Sequence, residues 1–315
     1  MNTALKDKLR IIFYPIVLLK REVYSQYLRY LGLHNPKKLA SILHYDYTKR
    51  DINWDDPKDL NEKINWLKFN SDTTIWGELS DKYAVRKHIE DAGLGEMLVD
   101  LYGVWSSVDE INFDLLPQSF VLKSTNGSGT VMVVEDKNEL DYVKVKKTLK
   151  SWLSLKFGIM SAEPHYFSIT PQIIAEELLI NDKKSFSTSI VDYKIWCLSG
   201  KPHSIFTCYN RKVGKEIYIA LHDMYWNFHP EDLEYGDHYK RSENGIPIPQ
   251  SLDKMVDACR VLAKPFPQVR IDFYEVNGKP YFGEMTFTSL GGNMDYFTKK
   301  FLLEMGDQIH LEKDQ

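Results

Sequence analysis

Apolar positions change their period along the chain, and those changes divide it into regions. Ile11 to Leu19 is a nine-residue apolar run, and beyond Pro15 the positions Ile16, Leu19, Val23, Tyr27 and Tyr30 recur at three-to-four spacing, with Arg21, Ser25 and Arg29 on another face. That period predicts an amphipathic helix over residues 4–31. Its apolar stripe has two readings, packing on the main domain, which is the expectation here, or an interfacial anchor on anionic lipid. The apolar run is far short of the roughly 20 residues that a spanning helix needs. Lys6, Lys8 and Arg10 in front of it look like the start of a signal peptide, but Lys20-Arg21-Glu22 follows with no small-residue cleavage site, so secretion is not expected.

From Asp51 to Lys68 turn formers give way to a helical pattern carried by Ile64, Trp66 and Leu67, which predicts a helical arm ending near residue 70. Helical and strand patterns then alternate. A helix is expected from Asp81, strands near 98–104, 119–123 and 130–135, and a long helix near 138–157. Strands near 172–179, 189–198, 203–209 and 216–221 follow, then a helix from Leu252 and a strand pair at 268–287. The class is α+β, with hairpins too closely spaced for a doubly wound parallel sheet.

Composition narrows the function. At 315 residues the chain has room for two domains or one large elaborated one. Forty Lys+Arg against 44 Asp+Glu give a net charge of −4 with no long basic run, so nucleic acid is not an expected partner. Without a basic stripe, the 19 Tyr, 15 Phe and 7 Trp read as core. Cys197, Cys208 and Cys259 form no C-x-x-C pair, which signals neither disulfides nor zinc and fits a reducing cytosol. His222, His229 and His238 lie among aromatics and acids in 222–241, at a spacing that matches no metal motif; a structural or substrate-covering loop without zinc is expected there.

Two segments carry candidate chemistry. In 120–134 a strand ending in Lys123 runs into Asn126-Gly127-Ser128-Gly129 and then into another strand. Glycines let a backbone approach phosphate oxygens, and a lysine beside them supplies charge. A plain hairpin turn has the same look, and the segment is neither a Walker A motif nor a dinucleotide fingerprint. In 269–293, Val269, Ile271, Phe273 and Tyr281, Gly283, Met285, Phe287 alternate against Arg270, Asp272, Tyr274 and Phe282, Glu284, Thr286. Two carboxylates and an arginine suit magnesium and phosphate, while a surface hairpin with one ion pair is the plain alternative.

Strand parity ties the register to that chemistry. A two-residue loop of Asn277-Gly278 would pair Asp272 with Gly283 and put Glu284 on the opposite face. A three-residue loop of Val276-Asn277-Gly278, with Gly278 left-handed, instead pairs Asp272 with Phe282 and Arg270 with Glu284. Arg270, Asp272, Glu284 and Thr286 then share one face, and Ile271, Phe273, Tyr281, Met285 and Phe287 share the other. The three-residue loop is therefore expected. Smaller signals are Asp81-Lys82-Tyr83 at a helix start, Glu176 and Glu177 interrupting the strand 173–179, and Asp192-Tyr193-Lys194 heading an apolar run. Each has an ordinary structural explanation when taken alone.

Taken in order, NEKINWLK, DKYAVR, GVW, FVLKSTNGSG, IIAEELL, DYKIWCLSGKP and RIDFYEVNGKPYFGEMTFT, between about residues 60 and 290, resemble the ATP-grasp superfamily and its teichuronopeptide-biosynthesis (TupA-like) branch of bacterial surface polysaccharide biosynthesis. The resemblance implies two α+β subdomains gripping ATP, preceded by a helical arm of residues 1–70. Within the ATP-grasp domain of 71–315 it implies a lid subdomain at about 115–175 and a C-terminal subdomain at about 176–305. Lys82 and Lys123 would meet the α- and β-phosphates, Asn126, Gly127, Ser128 and Gly129 would form the lid loop, and Glu176, Glu177 and Leu178 would meet adenine. Asp272, Glu284 and Thr286 would hold Mg²⁺, with Thr286 where superfamily ligases usually have asparagine, and Arg270 and Lys194 would be catalytic.

The activity so implied is an ATP- and Mg²⁺-dependent carboxylate–amine ligase that forms an amide through an acyl-phosphate, joining an amino acid and a uronic acid of a capsular or other surface polysaccharide. An ATP-grasp phosphotransferase without condensation and a non-catalytic membrane-associated subunit are the alternatives; Lys123, Glu176, Arg270, Asp272 and Glu284 speak against the second. The implied partners are small-molecule or saccharide carboxylates and amines. The implied location is the cytoplasm, where the N-terminal helix offers a peripheral contact with the inner face of the membrane.

Overall fold

Asn35 separates the first two helices, α1 (Thr3–His34) and α2 (Pro36–Thr48), and its side chain accepts a hydrogen bond from the Lys38 N–H at 3.1 Å. With Pro36 at the first helical position this is a well-formed start for α2. The computed structural model describes residues 3–181, 185–212 and 215–311, the side chains of 3–17 excepted. The side chains of Lys6, Lys8, Arg10 and Ile16 thus lie outside the described residues.

Among the described side chains, the apolar stripe of α1 does not pack on the main domain. Leu19, Val23 and Tyr30 are 65%, 61% and 59% exposed. The docking face is a different one. Leu31, one residue and so about 100° on from Tyr30, is buried with Leu39, Ala40 and Ala162. Beside it Gly32 comes so close to the Ile159 carbonyl that an added Cβ would lie 2.0 Å from its oxygen. The contact is made by the last turns of the helix, which leaves the stripe uncovered. Among the described residues no helix is long and apolar enough to cross a membrane.

Three more helices precede the first strand: α3 (Leu60–Asn70), α4 (Thr74–Ser80) and α5 (Ala84–Asp91). Asp59 caps α3 by accepting from the Glu62 N–H at 3.0 Å, and the Arg50 guanidinium pairs with Asp59 at 2.6 Å. The expected arm of residues 1–70 divides in its packing, because fully buried Leu60 and Ile64 of α3 join a core that the later strands build.

The smaller sheet has the order β1-β4-β2-β3 and is antiparallel throughout: β1 (Leu101–Trp105), β2 (Phe120–Ser124), β3 (Val131–Val134) and β4 (Ile173–Glu176). Phe120, Leu122, Val134, Ile173 and Ala175 cover one face of it against Val145 and Leu149 of α6 (Tyr142–Leu153).

The larger sheet contains β5 (Asp192–Leu198), β6 (Lys201–Tyr209), β7 (Ile217–Asp223), β8 (Tyr239–Arg241), β9 (Gln268–Val276) and β10 (Lys279–Thr286). Its order is β10-β9-β5-β6-β7-β8, with only the β7–β8 pair parallel. Alternation splits its side chains. Ile195, Cys197, Ile205, Ile271, Phe273 and Met285 pack with Met255 and Cys259 of α7 (Leu252–Leu262). On the other face Trp196, Leu198, Phe206 and Leu221 pack with Leu60 and Ile64, and with Phe301 and Met305 of α8 (Lys299–Asp307). Two sheets with helices packed on them make the fold α+β.

The β9–β10 register corrects the expected one. Val276 pairs with Lys279, so the loop is the two residues Asn277 and Gly278, with φ of +53° and +72°. Positive φ at both central residues is a turn that matches strand twist, and it leaves Val276 in the strand. The parity change falls further along, where Phe282 pairs with Phe273 and Glu284 with Asp272, leaving Gly283 as a bulge. Phe282 rather than Tyr281 therefore joins Phe273 in the core, ring centroids 6.3 Å apart. Glu284 and Asp272 reach the same face even though the three-residue turn does not form.

Candidate active site

Carboxylates and cations collect on the edge of the larger sheet, on the α3 side. Arg270 and Asp272 are neighbours in side-chain parity on β9, and the fork of one guanidinium is spread over several acceptors. Its Nε donates to Asp272 Oδ1 at 2.6 Å and its Nη1 donates to Ser289 Oγ. Its Nη2 lies 2.8 Å from Asp272 Oδ2, 3.0 Å from Glu284 Oε1 and 3.1 Å from Thr286 Oγ1. Three oxygens, from the three residues that the sequence suggested as metal ligands, thus converge on one cationic atom. They are hard donors of the kind Mg²⁺ takes, and that donor chemistry fits a divalent cation with a phosphate chain.

Lys194, on β5 opposite Asp272, donates to Asp272 Oδ2 and to Asp192 Oδ2, the latter at 2.7 Å. Two buried carboxylates share this ammonium. Burial pushes Asp192 up, and Asp272 beside it adds to the rise. Asp272 also feels burial, but Arg270 and Lys194 hold its carboxyl below the ordinary range. The Lys194 ammonium is desolvated too, yet its two carboxylates raise it above a free lysine. Asp192 Oδ1 is buried without a hydrogen-bond partner, an unused acceptor beside the cluster.

The second cluster sits on the smaller sheet and on the turn before α5. Asp81 caps that helix, accepting from the N–H groups of Tyr83 at 2.7 Å and Ala84 at 3.0 Å, so the helix begins at Ala84 and Lys82 stands in the turn. The Lys82 N–H donates to the Thr125 carbonyl at 3.2 Å, and its ammonium donates to the Gly127 carbonyl. Burial lowers the Lys82 pKa, with Glu284 opposing the fall and Lys123 adding to it. Lys82 therefore lies within electrostatic reach of both clusters. Lys123 pairs with Glu176 at 2.7 Å, and Arg86 of α5 reaches the other Glu176 oxygen at 3.2 Å.

The loop between β2 and β3 is closed by Ser124, whose hydroxyl lies 2.7 Å from that of Thr130, and by Asn126, whose amide donates to the Leu155 carbonyl at 3.0 Å. Gly127 has φ of +140° and lies against Phe157, where a Cβ would meet the ring at 2.7 Å. Ser128 and Gly129 are exposed, and Asn126 Oδ1 is buried without a partner. Glu177 donates its N–H to the Asp100 carbonyl at 2.9 Å, and Leu178 follows it, half-buried, beyond the strand.

Arg86 and Ser289 belong to this arrangement and were not singled out by their residue patterns, and Asp192 was noted only as heading an apolar run with Lys194. Asp192 had a signal, since it precedes Lys194 by two and so shares its face. Arg86 and Ser289 had none, because their partners lie 90 and 19 residues away in sequence. The histidines of 222–241 scatter: His222 stacks on Trp226, and His238 meets the Lys215 carbonyl at 3.1 Å. His229 bonds Glu231 at 3.1 Å, and these two with Asp232 bring possible ligand atoms within 4.8 Å of one another.

A family model described as TupA-like ATPgrasp matches residues 62–310, four fifths of the chain. The chain belongs to this TupA-like ATP-grasp family. ATP with Mg²⁺ is the cofactor pair of its chemistry. No curated protein sequence matches the chain. Among solved structures, D-alanine–D-alanine ligase from Bacillus anthracis is similar at 17% identity, covering 73% of this chain and 60% of that one, with a TM-score of 0.41. The same enzyme complexed with ATP is 16% identical, covering 80% and 68%, with a TM-score of 0.45. The ligase from Helicobacter pylori is 13% identical, covering 80% and 67%, with a TM-score of 0.42. The chain spans 60% of the length of the first of these. In this chain the two clusters described above lie one on each sheet.

Proposed function

We propose that this protein is an ATP- and Mg²⁺-dependent carboxylate–amine ligase that forms an amide through an acyl-phosphate. The observation that carries the reading is the convergence of Asp272, Glu284 and Thr286 oxygens on Arg270 Nη2, all within 3.1 Å. When bound, Mg²⁺ and ATP supply a phosphoryl group that turns a carboxylate oxygen into a leaving group. The chain's own part is positioning and charge. Asp272, Glu284 and Thr286 are the proposed metal ligands, and Lys194 keeps the buried Asp272 ionised. Arg270, released from part of its carboxylate contacts, would stabilise charge on the transferred group. Lys82 and Lys123 are the proposed phosphate contacts, with Asn126, Gly127, Ser128 and Gly129 covering them and Glu176, Glu177 and Leu178 along the base.

For substrates we infer an amino acid and a uronic acid of a surface polysaccharide precursor, a reading supported by family membership. Release of ADP from MgATP, screened over amino acids paired with glucuronic or galacturonic acid, tests it. Release that needs both partners is the expected result; release with the carboxylate alone would favour phosphotransfer without condensation, and none with any pair would overturn the ligase reading.

We also infer peripheral contact between α1 and an anionic membrane surface. Residues 1–50 hold 10 Lys and Arg against 3 Asp and Glu, a net charge of +7, so the remainder carries −11 of the total −4. This basic segment presents the uncovered Leu19, Val23, Tyr27 and Tyr30, the combination that binds lipid interfaces. Sedimentation with vesicles containing phosphatidylglycerol, but not with phosphatidylcholine alone, is expected, and Val23→Asp should reduce it. A dimer in light scattering that dissociates with Val23→Asp, without vesicle binding, would assign the stripe to a second copy instead.

A further inference from the structure

Besides Glu62, which turns back to the start of its own helix, three polar residues of α3 are buried where a helix in a core would ordinarily carry apolar side chains. Asn61 and Asn65 are completely buried and Lys68 nearly so, and their spacing of four and three puts them on one helix face. Buried polar groups are costly unless bonded, so their partners reveal what the face is for. Asn61 is paired in both directions with Met294, donating to its carbonyl and accepting its N–H, each at 3.0 Å. Asn65 donates to the Gly292 carbonyl at 2.8 Å, and Lys68 to the Gly291 carbonyl at 2.8 Å. All three thus bond one stretch of backbone.

That stretch is strained. Leu290, Gly291 and Gly292 have φ of +46°, +66° and +86°, and Leu290 is a left-handed residue with a large side chain, half of it exposed. Such a conformation persists only where its surroundings over-determine it, and it concentrates at functional sites. The remaining contacts fix the same segment from other sides. The Thr288 hydroxyl donates to Glu163, and Asn293 Oδ1 lies 3.2 Å from His44 Nδ1. Gly292 lies so close to α3 that a Cβ would be 3.1 Å from the Asn65 amide nitrogen. Burial draws the Lys68 ammonium down to about 8, with Glu163 opposing the fall.

We propose that Asn61, Asn65 and Lys68 are positioning residues, which hold 288–294 in its left-handed course so that Ser289 keeps the Arg270 guanidinium directed across Asp272, Glu284 and Thr286. The inference rests on the ligase reading of that cluster. The segment begins two residues after Thr286, and Ser289 accepts from Arg270 Nη1, the nitrogen not engaged by the carboxylates. A shift of 288–294 therefore lets the rigid, planar guanidinium turn out of its position while leaving the carboxylates themselves in place. The effect should appear in turnover rather than in nucleotide binding.

Hydrogen exchange and ADP release on the full chain test this with Lys68→Met, Asn65→Ala and Lys68→Arg. Lys68→Met should speed exchange at Gly291, Asn293 and Met294, amides that are bonded within the segment or to α3, with Asn65→Ala acting the same way and Lys68→Arg restoring most protection. ADP release from MgATP with the active pair of amino acid and uronic acid should fall roughly tenfold in Lys68→Met with KM for ATP within about twofold, the signature of a group acting in the transition state. If exchange in 288–294 stays as in the wild type in both Lys68→Met and Asn65→Ala, the positioning role is overturned. It is also overturned if KM rises in step with a lost turnover, or if turnover is unchanged while exchange speeds. A wild-type chain that neither binds MgATP nor releases ADP would instead defeat the ligase reading, and the positioning of Arg270 for turnover falls with it.

Discussion

Glu284 stands opposite Asp272 across the β9–β10 hairpin because Gly283 is left out of the ladder between them. Were Gly283 paired in the ladder instead, the two-residue turn would set Glu284 opposite Ile271 on the apolar face. A glycine suits the bulge, since a Cβ there would lie 3.0 Å from the Asp272 carbonyl oxygen and 3.3 Å from the Tyr274 ring.

Gly283→Val is therefore expected to lower stability by about 1–3 kcal/mol, as overpacking does, and to weaken MgATP binding by displacing Glu284. Urea unfolding and calorimetric titration read the two effects, and a variant unchanged in both would show that the bulge is not what holds the carboxylates together.

Lys123→Ala should weaken ATP by about 1.5–3 kcal/mol, the cost of one charge-assisted hydrogen bond. The same substitution strips Glu176 of one of its two cations, which leaves Arg86 as partner. Unchanged nucleotide affinity of the folded variant would remove Lys123 from the phosphate site.

Lys194→Met leaves Asp192 and Asp272 facing each other with one fewer cation, and breaking a buried pair in this way costs about 3–5 kcal/mol. Asp192→Asn in the same chain should recover part of the loss, because one of the two carboxylates is then neutral. A double-mutant cycle by urea unfolding measures the coupling; additive losses would mean that the ammonium is not shared.

How far this site was legible follows from the distances in sequence that each feature needs. Alternation along β9 and β10 was enough to demand that Arg270, Asp272, Glu284 and Thr286 share a face, since parity is a local property. It was not enough to say where the odd residue goes. The signal was Gly283 itself, because a glycine inside a strand pattern often marks a bulge. The stripe of α1 was legible as a stripe, but its covering was not, since an apolar face reads the same whether it docks on the chain or on something else. Asn61, Asn65 and Lys68 look like a solvated helix face in the sequence. Only the return of 291–294, more than 220 residues later, makes them interior.

Stability should fall as pH drops below 6.5. Burial draws the rings of His165 and His222 down to about 3 and about 4, so both stay neutral in the folded chain while the unfolded chain takes up protons near pH 6.5. The unfolded state then binds more protons, and the stability present above pH 6.5 is lost as pH falls toward 4. Urea midpoints between pH 7 and 4.5 should decline less steeply in His222→Phe, which keeps a ring against Trp226. Parallel curves for the two proteins would mean that His222 titrates normally.

Calorimetric titration of ATP into the full chain, with excess Mg²⁺ and again with EDTA, for the wild type and for Glu284→Gln, bears most directly on the site. Glu284 is the accessible member of the carboxylate pair, 39% of its side chain exposed against 2% for Asp272, so the substitution changes a ligand with little effect on the core. One ATP per chain, bound at least tenfold more tightly with Mg²⁺ and losing most of that gain in Glu284→Gln, is the expected result. ATP affinity indifferent to both Mg²⁺ and Glu284 would contradict a metal site built from Asp272, Glu284 and Thr286.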